Sequence, residues 1–210
     1  MYYLVKTPWW LKKIYNKLVW DADPAGKKLY LSFDDGPHPQ ITPFVLNELK
    51  KFNAKATFFC IGQNVEQYPG IYRQIIDEGH SVGNHTYNHL NGWKTDDAVY
   101  LENVARAQLF IDSNLFRPPY GKITGFQRRQ LAAPRFGLHT IMWSVVSGDF
   151  DAGISPERCL NNVLRNSREG SVVVFHDSEK ARDRLEYALP KALEYFAAKG
   201  FSFEKIVISA

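Results

Sequence analysis

The 210-residue chain reads as one α/β domain, a distorted or incomplete (β/α) barrel of about seven units, and three observations carry that reading. Strand-like and helix-like stretches alternate with a period of roughly 25 to 30 residues, the rhythm of parallel strands joined by crossover helices. No Gly-x-Gly-x-x-Gly turn follows any strand, which argues against a doubly wound nucleotide-binding sheet. Polar residues with chemical potential recur just after the apolar strands, where a barrel gathers its strand ends on one face. A regular barrel has eight units in about 250 residues, so this shorter chain implies an incomplete one.

The elements follow in order. Thr7 to Trp20 has a helical pattern: Thr7 caps, Pro8 suits the first turn, and Trp10, Leu11, Ile14, Tyr15 and Leu18 share a face opposite Lys12, Lys13, Asn16 and Lys17. A basic helix with tryptophans suits peripheral contact with a membrane, but packing of its apolar face on the same domain is the favoured expectation. In Lys28 to Pro37, Leu29, Leu31 and Phe33 alternate with Tyr30 and Ser32, a strand that ends in Asp34, Asp35, Gly36 and Pro37. Glycine and proline force a turn there and leave the two carboxylates at the strand's C-terminal end. Thr42-Pro43 opens a helix to about Lys50, and Ala56 to Ile61 is a strand apolar on both faces. A helix from Pro69 to Glu78 is stopped by Gly79, and His80 to His85 is a short strand. Thr95 caps a long helix with Asp96 and Asp97 in its first turn, and Leu115 to Arg117 is extended. A helix through Leu131 precedes a strand over Thr140 to Val145. Ser155-Pro156 opens another helix, Ser171 to Phe175 is a strand, Arg182 to Lys199 a helix, and Phe201 to Phe203 a last extended piece.

Composition narrows the classes of function. A 45% hydrophobic and 23% charged chain is an ordinary globular one. The net charge of +4 is spread along the sequence, so a nucleic-acid footprint is not expected. Cys60 and Cys159 fit no metal or redox spacing and read as buried thiols. The chain has neither an apolar run of about 18 residues nor the basic-apolar-small order of a secretory signal, so a cytoplasmic or membrane-peripheral setting is the default.

The polar residues after the strands are Asp34 and Asp35, His85 and His89, Arg117 and Tyr120, Asp149, and His176-Asp177. His85 and His89 have the i, i+4 spacing that places two imidazoles on one side of a helical turn. Joined to one aspartate of the pair, they form a donor set for zinc or a similar divalent ion with an open position for water. Taken singly, Arg117 also reads as a strand-end salt bridge, Pro118-Pro119-Tyr120 as a rigid turn, and His176 as a hydrogen-bonded core histidine.

Four segments in order, Ser32 to Pro37 (SFDDGP), His85 to His89 (HTYNH), Arg117 to Tyr120 (RPPY) and Val174-Phe175-His176, resemble the successive motifs of the polysaccharide deacetylase family, the NodB homology or carbohydrate esterase family 4 domain. The likeness runs from about Lys28 to Glu204. It implies a distorted barrel spanning residues 28–210, preceded by the helix and lead-in of residues 1–27, that removes N-acetyl groups from amino sugars of a glycan. By residue, it implies Asp35, His85 and His89 as metal ligands, Asp34 as general base, Arg117 as the partner of that base, and His176 as general acid. The Tyr120 backbone amide would meet the oxyanion, with Trp143 and Val174 lining the pocket for the acetyl methyl. The metal expected is zinc, with Co, Ni, Fe or Mn suiting the same donors.

One departure stands out. The family's Asp-x-x-Asp-Trp segment is Val146-Ser147-Gly148-Asp149-Phe150 here, keeping the second aspartate, a candidate substrate contact, and losing the first and the tryptophan. The lost aspartate normally orients the acid histidine. A lower His176 pKa is then expected, unless Asp149, Asp151 or Asp177 supplies the contact. The substrate readings are a peptidoglycan- or chitin-like polymer, a small or lipid-linked amino sugar, or, for a degenerate member, carbohydrate binding without turnover.

Overall fold

In the computed structural model, which describes residues 3–208, the chain runs α1 (Trp9–Ile14), β1 (Lys28–Asp34), α2 (Ile41–Lys51), β2 (Ala56–Cys60), α3 (Gly62–Gln67), α4 (Pro69–Asp77), β3 (Ser81–Asn84), α5 (Asp97–Gln108), β4 (Leu115–Phe116), α6 (Gly125–Ala132), β5 (His139–Thr140), β6 (Val145–Val146), α7 (Pro156–Asn166), β7 (Val172–His176), α8 (Arg182–Ala198) and β8 (Ser202–Phe203). The strands form a curled parallel sheet in the order β5-β4-β3-β2-β1-β7-β6, with β8 joining the start of β1. This is the incomplete barrel that the strand–helix rhythm predicts.

Alternation along β1 sorts its side chains into two layers. Leu29, Leu31 and Phe33 face outward with Phe58, Val173 and Phe175 and pack on α2 and α8 through Val45, Leu46, Leu49, Leu185, Leu189 and Leu193. Phe33 stacks between Phe58 and Phe175, with ring centroids 5.0 and 6.0 Å away. Tyr30 faces the concave side with Phe59, Leu115, Ile141, Val172 and Ile206. Ser32 and Asp34 continue this inward row, so the polar end of β1 sits above an apolar floor. In register, Asp34 lies beside Phe59 of β2 and His176 of β7.

The single strand expected over Thr140 to Val145 is two short ones that pair on opposite edges, β5 with β4 and β6 with β7. Ile141 to Ser144 therefore links the two edges of the sheet. The N-terminal segment braces this link. Thr7 N–H donates to Ser144 O, the Thr7 hydroxyl to Trp143 O, Val146 N–H to Val5 O, and Val19 exchanges backbone bonds with Thr140 and Met142.

That bracing changes the first helix. It spans six residues rather than Thr7 to Trp20, because the Trp20 indole N–H closes on Tyr15 O and Val19 is drawn into pairing with Ile141. Its expected packing is also overturned: α1 buries none of its residues. Other boundaries move for local reasons. Asp96, not Thr95, caps α5 by accepting from Ala98 and Val99 N–H, and α2 begins ahead of Thr42, whose hydroxyl is turned to Asp177. Cys60 and Cys159 are buried and free. Among the described residues no helix is long and apolar enough to cross a membrane.

Gly83 of β3 is a packing requirement. A Cβ there would come within 2.5 Å of the Phe59 ring. Gly83→Ala is expected to cost about 1–3 kcal/mol of stability by overpacking, measured as a lower urea midpoint; an unchanged midpoint would show that Phe59 has room to move.

Candidate metal centre and active site

The two aspartates separate because only one belongs to the strand. Asp34 ends β1 on its inward face, whereas Asp35 has φ of 82° and turns out of the ladder. Asp35 Oδ1 lies 3.2 Å from His89 Nε2 and 3.7 Å from His85 Nε2. One donor atom from each of Asp35, His85 and His89 falls within 4.8 Å of the others. The histidines do not share a helical turn as their spacing suggests. His85 N–H bonds to Cys60 O at the end of β3, Thr86 and His89 take φ of 66° and 62°, and the ring centroids are 5.1 Å apart.

The imidazoles are oriented from behind. His85 Nδ1 donates to Arg117 O at 2.7 Å, which leaves the Nε2 lone pair toward Asp35. Burial, aided by His89, pushes the His85 pKa down to about 4, so the ring is neutral at physiological pH. His89 Nδ1 faces the Tyr120 hydroxyl at 3.2 Å. Burial acts to raise the Asp35 carboxyl, but the neighbouring histidines, His89 foremost at 3.2 Å, prevail and hold it well below the usual carboxylate range. Asp35 Oδ1 is buried without a hydrogen-bond partner. An ionised carboxylate, a neutral imidazole with its lone pair presented and an orphaned oxygen make a donor set that fits a divalent cation.

Behind this cluster lies a fully buried ion pair. The Arg117 guanidinium donates through Nη1 to Asp34 Oδ1 at 2.7 Å and Ser32 Oγ at 2.8 Å, through Nη2 to Met142 O at 2.9 Å, and through Nε to Ile141 O at 3.2 Å. It lies 3.9 Å above the Phe59 ring. Burial lowers the Arg117 pKa, and Asp34 opposes that shift. Ser32 was not singled out from the sequence; its signal is a hydroxyl on the inward row of β1, two residues before Asp34.

His176 is paired with Asp149. Its Nδ1 donates to Asp149 Oδ1 at 2.8 Å and its backbone N–H to Oδ2 at 2.6 Å. Burial would lower the His176 pKa, but the Asp149 charge and hydrogen bond outweigh it and raise the value to about 9. Of the alternatives left open by the lost motif aspartate, it is the contact from Asp149 that the structure shows, and the pKa is not lowered. Asp149 is fully buried with both oxygens on His176, which leaves it no contact with substrate. Phe150 packs edge-on against the His176 ring, 5.1 Å between centroids.

Asp177 faces away from His176 and clamps the aspartate turn. Its N–H donates to Asp34 O, and its carboxylate accepts from Gly36 N–H at 3.0 Å and from the Thr42 hydroxyl at 2.5 Å. Burial, with Asp35 nearby, raises its pKa to about 8. Tyr120 is 54% exposed with φ of 59°, and its amide is the first after two prolines. Trp143 is half-buried against the inward core, close enough to Gly121 that a Cβ there would meet its ring at 2.7 Å. Val174 is buried on the inward row of β7 between Val172 and His176.

Residues 21–141 match the family model described as polysaccharide deacetylase. The chain belongs to the polysaccharide deacetylase family. It is 36% identical over 180 residues to a peptidoglycan-N-acetylglucosamine deacetylase of Bacillus cereus, covering 82% of this chain and 64% of that protein, so it spans slightly less than two thirds of that relative. It is 36% identical over 157 residues to a chitooligosaccharide deacetylase of Azorhizobium caulinodans, covering 71% of this chain and 73% of the relative. Among solved structures, that of the Bc1960 peptidoglycan N-acetylglucosamine deacetylase, in complex with an N-hydroxybenzamide, superposes with a TM-score of 0.82 at 31% identity over 95% of both chains.

Two variants probe this geometry. Arg117→Met strands Asp34 as a buried, unpaired charge and is expected to cost about 3–5 kcal/mol of stability, read by thermal or urea melting; a loss under about 1 kcal/mol would mean that the pair is not held as described. Asp149→Asn removes the charge that raises His176, so the ring's pKa should fall from about 9 toward its ordinary 6.5. NMR titration of the metal-free protein reads this directly, and an unmoved pKa would assign the shift to other groups.

Proposed function

We propose that this chain is a metal-dependent hydrolase that removes N-acetyl groups from N-acetylglucosamine units of a peptidoglycan- or chitin-like polymer. The observation that supports it most is the meeting, at one end of the sheet, of an Asp–His–His donor set with two separately paired groups, Asp34 on Arg117 and His176 on Asp149. Asp35, His85 and His89 would hold the ion. When bound, a divalent cation there supplies a Lewis acid that polarises the acetamide carbonyl and acidifies water.

The remaining steps fall to the protein's own groups. Asp34, paired with and oriented by Arg117, takes a proton from the attacking water as its oxygen bonds to the carbonyl carbon. The Tyr120 backbone N–H stabilises the oxyanion that forms. His176, held protonated by Asp149, gives its proton to the nitrogen as the C–N bond breaks, leaving acetate and a free amine on the sugar. The Asp149 charge and hydrogen bond favour the protonated imidazole that this step requires. Trp143 and Val174 form the wall against the acetyl methyl. Zinc is the favoured ion, since two imidazoles and one carboxylate with an open position suit it.

Acetate release from chitin oligosaccharides and N-acetylated peptidoglycan fragments tests the proposal. Chelation should abolish release and added Zn²⁺ or Co²⁺ restore it. Asp34→Asn should lower kcat by about 10²-fold or more while the protein still binds one ion per chain. Stoichiometric metal binding with no release from either substrate class would sink the polymer reading.

A further inference from the structure

The segment before β1 is tied to the domain at both ends and leaves its middle uncovered. Lys6 bridges to Val145, Thr7 is buried, and Val19 and Asp21 bridge to Ile141 and Ser171. Between these anchors α1 has no buried residue. Leu4, Trp9, Trp10, Ile14 and Tyr15 are 57, 75, 49, 64 and 53% exposed, five of the thirteen exposed large apolar side chains among the described residues. Because hydrogen bonds to the sheet hold both flanks, this exposure belongs to a fixed surface rather than to a frayed end.

Cations adjoin the apolar side chains. Lys13 and Lys17 are exposed in the same segment. A cleft of about 340 Å³ beside Trp9 is lined by Lys6, Lys12 and Arg168, and a second of about 160 Å³, sharing Asn166 with it, by Arg158 and Arg165. Lys12 is spent on Asp21 at 2.5 Å. None of Lys6, Lys13, Lys17, Arg158, Arg165 and Arg168 forms an ion pair among the described residues.

We infer that this face docks on the surface of a bilayer rich in anionic lipid. Trp9, Trp10 and Ile14 enter the boundary between headgroups and acyl chains, and the unpaired lysines and arginines meet lipid phosphates. A soluble acidic polymer would satisfy the cations but leave five large apolar side chains in water. A second copy of the same face would bring like charges together. The segment leaves the sheet beside Ser144, just before β6, and returns beside Ile141, just after β5, and Ser171, just before β7.

The test is co-sedimentation of the full chain with phosphatidylcholine vesicles, with and without roughly 30% phosphatidylglycerol. Binding should require the anionic lipid, weaken in high salt, and fall about tenfold or more both in Trp9→Ala/Trp10→Ala and in Lys6→Glu/Arg168→Glu. These side chains are exposed or line an open cleft, and unchanged melting curves would exclude misfolding as the cause. Equal binding to both vesicle types, or binding unaffected by either double variant, would overturn the inference. So would absence of vesicle binding together with capture by dextran sulfate, which would point to an acidic polymer, or with a concentration-dependent dimer lost in the tryptophan variant.

Discussion

The buried pair of Arg117 and Asp34 is the constraint on which the rest of the site depends. A guanidinium removed from water is tolerable only if nearly every donor finds an acceptor, and here the acceptors come from separate parts of the chain: Ser32 and Asp34 of β1, and the carbonyls of Ile141 and Met142. Those two carbonyls belong to the link between the sheet's two edges, the same link that the N-terminal segment braces from its other side. Closure of the barrel and orientation of Asp34 are thus one problem with one solution. A lysine could not replace this arginine, because a point charge cannot reach four acceptors in a plane.

Two carboxylates crowded into one buried site would repel, and one would hold a proton. The fold avoids this by giving each carboxylate its own partner. Asp34 stays in the ladder and takes Arg117, while the positive φ at Asp35 throws that side chain to the histidines. Asp177 secures the division, since its N–H holds Asp34 O and its carboxylate holds Gly36 N–H on either side of Asp35. Gly36 is needed for this clamp, because any Cβ there would overlap the Asp177 carboxylate.

Much of this was legible in the sequence, and the failures share a cause. The alternation in β1, the forced turn after it and the recurrence of His, Arg and Asp after strands are local patterns, and local patterns survive into the fold. What depends on closure of the sheet was not legible. Thr140 to Val145 reads as one strand because its residues suit one, yet its two halves pair with different neighbours, which no periodicity encodes. The first helix has a good amphipathic pattern but loses its second half to tertiary hydrogen bonds from Val19 and Trp20. The His85–His89 spacing pointed to the right pair through the wrong geometry, since a loop with two left-handed residues, not a helical turn, brings them together.

The altered Asp-x-x-Asp-Trp segment shows how a histidine keeps a carboxylate partner while the residues around it change. A histidine needs a carboxylate on Nδ1 to fix its tautomer and hold its proton, but that need is for a charge at a distance, not for a given position in a motif. Asp149 meets it with both oxygens, one on the ring and one on the His176 backbone N–H, so orientation of the ring is tied to the end of β7 itself. Asp151 and Asp177 were equal candidates from the sequence because all three follow strands. Backbone geometry separates them: Asp177, next along the strand from His176, points to the opposite side and is occupied by Gly36 and Thr42. A degenerate site would be expected to lose such pairings first, since a buried charge without a function is costly to keep. Here both the base and the acid candidates retain buried, fully engaged partners, which favours turnover over carbohydrate binding alone.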